Sequence, residues 1–133
     1  MFEINIAYTD YNDVERNEKY AFNISRAELL NWEKDTKGGL ELKLNKIIES
    51  KDPNEIVGLF TEILQRAYGV KSVDGKRFMK SEEIWKTFEE SEAYSELIMR
   101  FLQDSDYAAE FINAVIPKLE GFNIPGQNMA VVK

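Results

Sequence analysis

From residue 52 to residue 117 apolar side chains return every third or fourth position, and one polar stretch around Asp74-Gly75 interrupts them. That spacing gathers the apolar groups of each segment on one side of a helix, so about half the chain must bury a shared face. It predicts three helices with a common apolar side. The stretch opens on Asp52-Pro53-Asn54-Glu55. Asp52 suits the cap, Pro53 suits the first helical position where no N–H is needed, and Glu55 stands where a capping box places its carboxylate. Ile56, Leu59, Phe60, Ile63, Leu64 and Ala67 form the first stripe, with Gly69 as its stop. Residues 70–80 read as a polar loop turning at Asp74-Gly75, or as a short hairpin. Ser81, Glu82 and Glu83 restart a helix, since carboxylates in a first turn meet the positive end of the helix dipole. Ile84, Trp85 and Phe88 are its apolar side, and Ser91 marks a break or a bend. Tyr94, Leu97, Ile98, Phe101 and Leu102 form the next stripe, Asp104-Ser105-Asp106 a turn and cap, and Ala108, Phe111, Ile112, Val115 and Ile116 the last stripe, closed by Pro117.

What precedes this stretch has to lie against it. Phe2, Ile4, Ile6 and Tyr8 alternate with Glu3, Asn5, Ala7 and Thr9, a period of two that marks a strand with one wet face. Asp10-Tyr11-Asn12-Asp13 is rich in turn formers, and Tyr20, Phe22 and Ile24 alternate again beyond it. A lone hairpin is marginal in water, so this one is expected to pack on the helices. Ser25-Arg26-Ala27-Glu28 is a capping box for a short helix carrying Leu29, Leu30 and Trp32 and ending near Lys34. Gly38-Gly39 separates it from a second helix, Leu40–Ser50, whose apolar set is Leu40, Leu42 or Leu44, Ile47 and Ile48. The expected architecture is α+β: an antiparallel hairpin over residues 1–24 packed on about five or six helices over residues 25–117, one domain in all. Residues 118–133 show no periodicity and are expected to form a loose or partner-docking tail.

Composition narrows the chemistry. Among 133 residues there is no Cys and no His, which removes disulfides, thiolate chemistry, the usual neutral-pH general base and the commonest metal ligand. A formal net charge of −7 disfavours nucleic acid as a partner. The amino terminus lacks the basic and apolar regions of a secretory leader, and no apolar run approaches the ~20 residues of a membrane span. Gly69 to Arg77 fails as a phosphate loop, because five residues separate Gly69 from Gly75 and Arg77 stands where Ser or Thr should follow Lys76. Asp10, Asn12 and Asp13 fail as a calcium loop, with Glu15 at the position for Gly and Ala21 at the position for the closing Glu. The acidic pairs Glu82/Glu83, Glu89/Glu90 and Asp104/Asp106 read as caps and solvated faces rather than as acid–base pairs. Trp32, Trp85, Phe88, Tyr94 and Phe101 recur at helical spacing, which favours core over a ligand pocket. Lys71, Lys76, Arg77 and Lys80 cluster around Phe78, a group suited to an acidic partner helix. No catalytic, cofactor-binding or metal residue is assigned, and the chain is not expected to be an enzyme.

A resemblance adds to this. Ala67-Tyr68-Gly69, Lys71-Ser72, Asp74-Gly75-Lys76-Arg77-Phe78, Lys80-Ser81, Phe88, Ala93-Tyr94, Ala108-Ala109-Glu110-Phe111-Ile112-Asn113 and Ile116-Pro117 follow one another as in a known pattern. Tyr8-Thr9-Asp10, Phe22-Asn23-Ile24-Ser25, Ala27-Glu28-Leu29 and Gly38-Gly39-Leu40 extend it to the amino-terminal part. From about Ile4 to Pro117 the chain resembles the tail assembly chaperones of long-tailed, siphovirus-type bacteriophages. The resemblance implies a role without catalysis or cofactor. Such a protein binds the tape measure protein, keeps it soluble and assists tail tube subunits to polymerise around it. It acts in the host bacterial cytoplasm and is absent from the mature virion. A longer form made by ribosomal frameshifting is common in the family, and residues 122–133 would then lie near the point of divergence. The family supplies no contact residues. From the sequence, partner contacts are expected at Phe78 and Trp85 with the basic rim of Lys76 and Arg77, or at Phe122 and Ile124 in the tail. The reading from another class is a small acidic module that regulates a protein partner without an assembly role.

Overall fold

The computed structural model describes residues 1–117, the side chain of Ile48 excepted. Two strands come first, β1 (Phe2–Thr9) and β2 (Glu15–Phe22), paired antiparallel from Phe2 opposite Phe22 to Thr9 opposite Glu15. Residues directly opposite share a face. Phe2, Ile4, Tyr20 and Phe22 therefore make one apolar patch, and further out the same face turns polar at Tyr8, Arg16 and Glu18. The strand thus extends back from Tyr20 to Glu15, over residues whose alternation carries no apolar signal. Asp10 sets the turn: its carboxylate accepts the N–H groups of Asn12 and Val14 at 2.8 and 2.9 Å and pairs with Arg16 Nε at 2.6 Å. Ile24 lies past the strand, buried, with its N–H donated to Val115 O.

The capping box of α1 (Arg26–Asp35) forms as expected, with Glu28 N–H donating to Ser25 Oγ at 3.1 Å and Ser25 N–H to the Glu28 carboxylate at 2.8 Å. Gly38 and Gly39 both hold positive φ, and α2 (Leu40–Ser50) follows at once, burying Leu40 and Leu44 and leaving Leu42 exposed. Asp52 caps α3 (Pro53–Ala67) by accepting the Asn54 N–H at 3.0 Å. The expected box partner is different, however. Asp52 N–H donates to Ser50 Oγ at 3.2 Å, and the Glu55 carboxylate takes the Ser50 hydroxyl at 3.0 Å instead of reaching Asp52.

The larger departure from the sequence reading follows α3. Gly69 does not stop the helix as a glycine cap. The chain passes from Ala67 directly into β3 (Tyr68–Lys71), which pairs with β2 through Ala21–Gly69 and Phe22–Tyr68, and β4 (Phe78–Met79) pairs with β3. The result is a four-stranded sheet in the order β1-β2-β3-β4. Gly69 is needed for space: a Cβ there would sit 2.6 Å from the Phe78 ring and 2.9 Å from Met79 O. Between β3 and β4 the turn is tied by Ser72 and Asp74, and Gly75 takes φ +76.

Ser91 is a full break. It caps α5 (Glu92–Gln103) in extended conformation, so α4 (Glu82–Glu89) and α5 are separate, and residues 52–117 hold four helices with α6 (Ser105–Val115) rather than three. With α1 and α2 that makes six helices among the described residues, in an α+β fold. Helix α5 packs across β1, and α6 reaches both α5 and β1. At the centre Phe22 touches Phe88 and Phe111, with ring centroids 5.7 and 5.8 Å apart, and Phe2 meets Phe111 edge-on at 5.2 Å. Burying each of these rings contributes about 1.5–3 kcal/mol by transfer out of water.

Candidate protein-docking groove

Among the described residues, three helices leave part of their common apolar side uncovered. The first half of α3 contributes Pro53, Ile56, Leu59 and Phe60; the end of α5 contributes Phe101 and Leu102; α6 contributes Ser105, Ala108, Ala109 and Ile112. Together they line a cleft of about 680 Å³. Its origin is local. Ala108 and Ala109 offer only methyl groups where larger side chains would fill the space between α6 and α3. Phe60 and Phe101 stack beneath it, centroids 4.8 Å apart and planes at 24°, and fix the floor. Leu102 is 46% exposed at its mouth. Among the described residues the lining holds no charged side chain and one hydroxyl, that of Ser105. Such a surface suits apolar groups. Asp52 and Asp104, the caps of α3 and α6, adjoin the lining residues Pro53 and Ser105 in sequence and place carboxylates at that end.

The residues singled out from sequence lie elsewhere. Trp85 is only 6% exposed, edge-on to Phe88 and Tyr94 at 5.9 and 5.8 Å. Phe78 is half-buried and covers Gly69. Lys76 and Arg77 are exposed on the β3–β4 turn. Phe122 and Ile124 lie outside the described residues. The structure therefore brings Phe78, Lys76 and Arg77 together on one hairpin, with Trp85 inside the core.

Of the basic cluster, two members have structural ties. Lys71 pairs with Glu3 at 3.4 Å across the sheet. Lys80 Nζ donates to Asn23 O at 2.7 Å, to Arg66 O at 2.6 Å and to the Glu28 carboxylate at 3.0 Å. One ammonium thus ties the end of α3 to the start of α1, and it crosses a second cleft of about 500 Å³ lined also by Trp32 and Trp85. Burial works against ionisation of Glu28, but hydrogen bonds from Ser25 N–H and Lys80 outweigh it and hold the carboxyl below its ordinary value. On the hairpin, hydrogen bonding from Tyr8 lowers the Glu18 carboxyl in the same sense, while burial pushes the Tyr20 phenol upward. The two carboxylates keep the charge they carry at neutral pH, and the phenol stays neutral. None is poised to exchange a proton there. Among the described residues no three acidic side chains gather as a cation site, and no helix is long and apolar enough to cross a membrane.

The family model for phage tail assembly chaperones matches residues 1–119. The chain belongs to that family. No curated protein and no solved structure matches it. As a tail assembly chaperone it has phage tail proteins as partners, acts in the host cell while tails are built, and works by binding, the role its family implies. Sequence reasoning missed the groove because its residues read as ordinary core stripes. The one available signal was Ala108-Ala109 facing the stripe that starts at Ile56, a place where small side chains leave room.

Proposed function

We propose that this chaperone holds apolar helical segments of the phage tape measure protein in the groove between α3, α5 and α6, and so keeps that long chain soluble until tail tube subunits close around it. The observation that carries the reading is the uncharged cleft of about 680 Å³ with Leu102 exposed at its mouth. An amphipathic helix laying its apolar side into such a groove is a recurrent way for one protein to shield another. Acidic side chains around it, on a chain of net charge −7, would keep the complex from associating further. Exposed Lys76 and Arg77 beside Phe78 form a second contact in this reading, toward acidic residues of the same partner. Family membership supports the remaining parts: work in the host cytoplasm, absence from the finished virion, contact with the tail tube protein, and a frameshifted longer form of the same chain.

Co-expression tests this. Tape measure protein made with the chaperone should stay in the soluble fraction and co-purify with it. With Leu102→Lys or Ala109→Glu, each compatible with its place in its helix, co-purification should drop at least tenfold. Unchanged recovery with both variants would remove the groove from the reading. Failure of the parent protein to retain the tape measure protein would remove the partner.

A further inference from the structure

We propose that the partner segment held in the groove is an amphipathic helix with Lys or Arg beside its apolar face, whose cations meet carboxylates at the starts of α3 and α6. This rests on the groove reading above and adds which kind of segment the groove selects. The lining begins in the first turn of both helices and runs from Pro53 to Phe60 on α3 and from Ser105 to Ile112 on α6. Seven steps of helix span about 10 Å, so the groove meets about two turns of an occupant. That is room for apolar side chains at i, i+3 or i+4, and i+7. Both first turns are acidic. Asp52 and Glu55 stand beside Pro53 and Ile56, Asp104 and Asp106 stand on either side of Ser105, and all four are exposed. Asp52 and Asp104 accept the N–H groups of Asn54 and Tyr107, each at 3.0 Å, and the helix starts they cap offset part of their charge. Glu55 accepts the Ser50 hydroxyl, which carries no charge. Among the described residues none of the four carboxylates enters an ion pair, whereas Glu62, further along α3, is held by Lys43 and Arg66. Lys51, just ahead of the α3 cap, opposes them with a single charge. This end of the groove therefore keeps a negative margin. An uncharged floor accepts any apolar helix of the right width, and the margin supplies the discrimination: it draws in basic flanks and repels acidic ones. A second copy of this chain, at net charge −7, is a poor match for it.

Two synthetic helical peptides separate the charge from the groove. Both carry Leu at i, i+4 and i+7; one flanks that face with two Lys, the other with two Glu at the same positions. At about 20 mM salt the Lys peptide should bind the full-length chaperone at least fivefold tighter, read by fluorescence anisotropy, and the ratio should fall below about twofold at ~0.5 M salt. Glu55→Gln with Asp106→Asn should shrink the low-salt ratio at least twofold, while Leu102→Ala should weaken both peptides and leave the ratio unchanged. Equal affinity of the two peptides at low salt, or a ratio untouched by Glu55→Gln with Asp106→Asn, would overturn the proposal. If Leu102→Ala still weakened both peptides in that case, the groove would stand as an apolar site without charge selection. No binding by either peptide would overturn the proposal as well, and the co-purification of tape measure protein described above would then decide the groove reading separately.

Discussion

The two ends of the apolar interior are finished differently. Toward the sheet, Phe2, Tyr20, Phe22 and Tyr68 descend from the strands onto Phe88 and Phe111, and the chain closes its own core with rings between 4.8 and 6.2 Å apart. Toward α3, α5 and α6 the same kind of side chain ends at Phe60 and Phe101, and nothing among the described residues lies over Ile56, Leu102 and Ala109. One side is packed for stability. On the other, apolar surface stays open among the described residues. Changes on the sheet side should therefore act on folding, and changes in the groove on binding.

The largest expected effect is at the closed end. Phe111→Ala removes a fully buried ring and should cost about 3–5 kcal/mol, read as a lower midpoint in urea unfolding. Gly69→Ala comes next, at about 1–3 kcal/mol, because the new methyl group meets the Phe78 ring and the Met79 carbonyl. Lys80→Met should cost a similar ~1–3 kcal/mol, since Asn23 O and Arg66 O lose their donor. In that variant the Glu28 carboxyl should also titrate higher, measurable by NMR.

Acid sharpens the contrast further. Asp10, Glu18, Glu28 and Asp74 all have folded carboxyls held below their ordinary values. A depressed folded pKa contributes stability that is fully present above the unfolded pKa and lost as pH falls through the folded one. Thermal stability should then be level above about pH 5 and decline below about pH 4, where unfolded carboxylates begin to protonate. In Lys80→Met the decline should be shallower, because the Glu28 carboxyl is no longer held as far below its ordinary value. The smallest effect on folding belongs to the open end: Leu102→Lys, at an exposed position, should move stability by about 0.5 kcal/mol or less. A large loss of stability there would mean that the groove is core after all, and the comparison would fail.

How much of this was legible in the residues follows the same division. Local signals were reliable. The Ser25–Glu28 box, the Asp52, Ser81 and Asp104 caps and the bounds of α2 follow from side chains a few positions apart. The hairpin of β3 and β4 was legible as one of the two readings of residues 70–80, but the start of β3 at Tyr68-Gly69 and its pairing with β2 were hidden, because the partner, Ala21-Phe22, lies far away in sequence. The outer half of β2 was hidden as well, since its facing residues are Arg16 and Glu18, held by Tyr8 and Asp10 rather than by apolar contact. The groove was the least legible. A stripe such as Ala108, Phe111, Ile112 and Val115 reads alike whether its neighbour covers all of it or part of it. Only the packing of three helices shows which part stays open.

The central claim is that the open side exists to take up another chain's apolar segment, and affinity measures it most directly. Titration of a tape measure fragment into the full-length chaperone, by calorimetry, should give saturable binding with a negative heat-capacity change, and Leu102→Lys should weaken it at least tenfold, about 1.4 kcal/mol, with folding unchanged. Equal affinity for Leu102→Lys and the parent would contradict the claim.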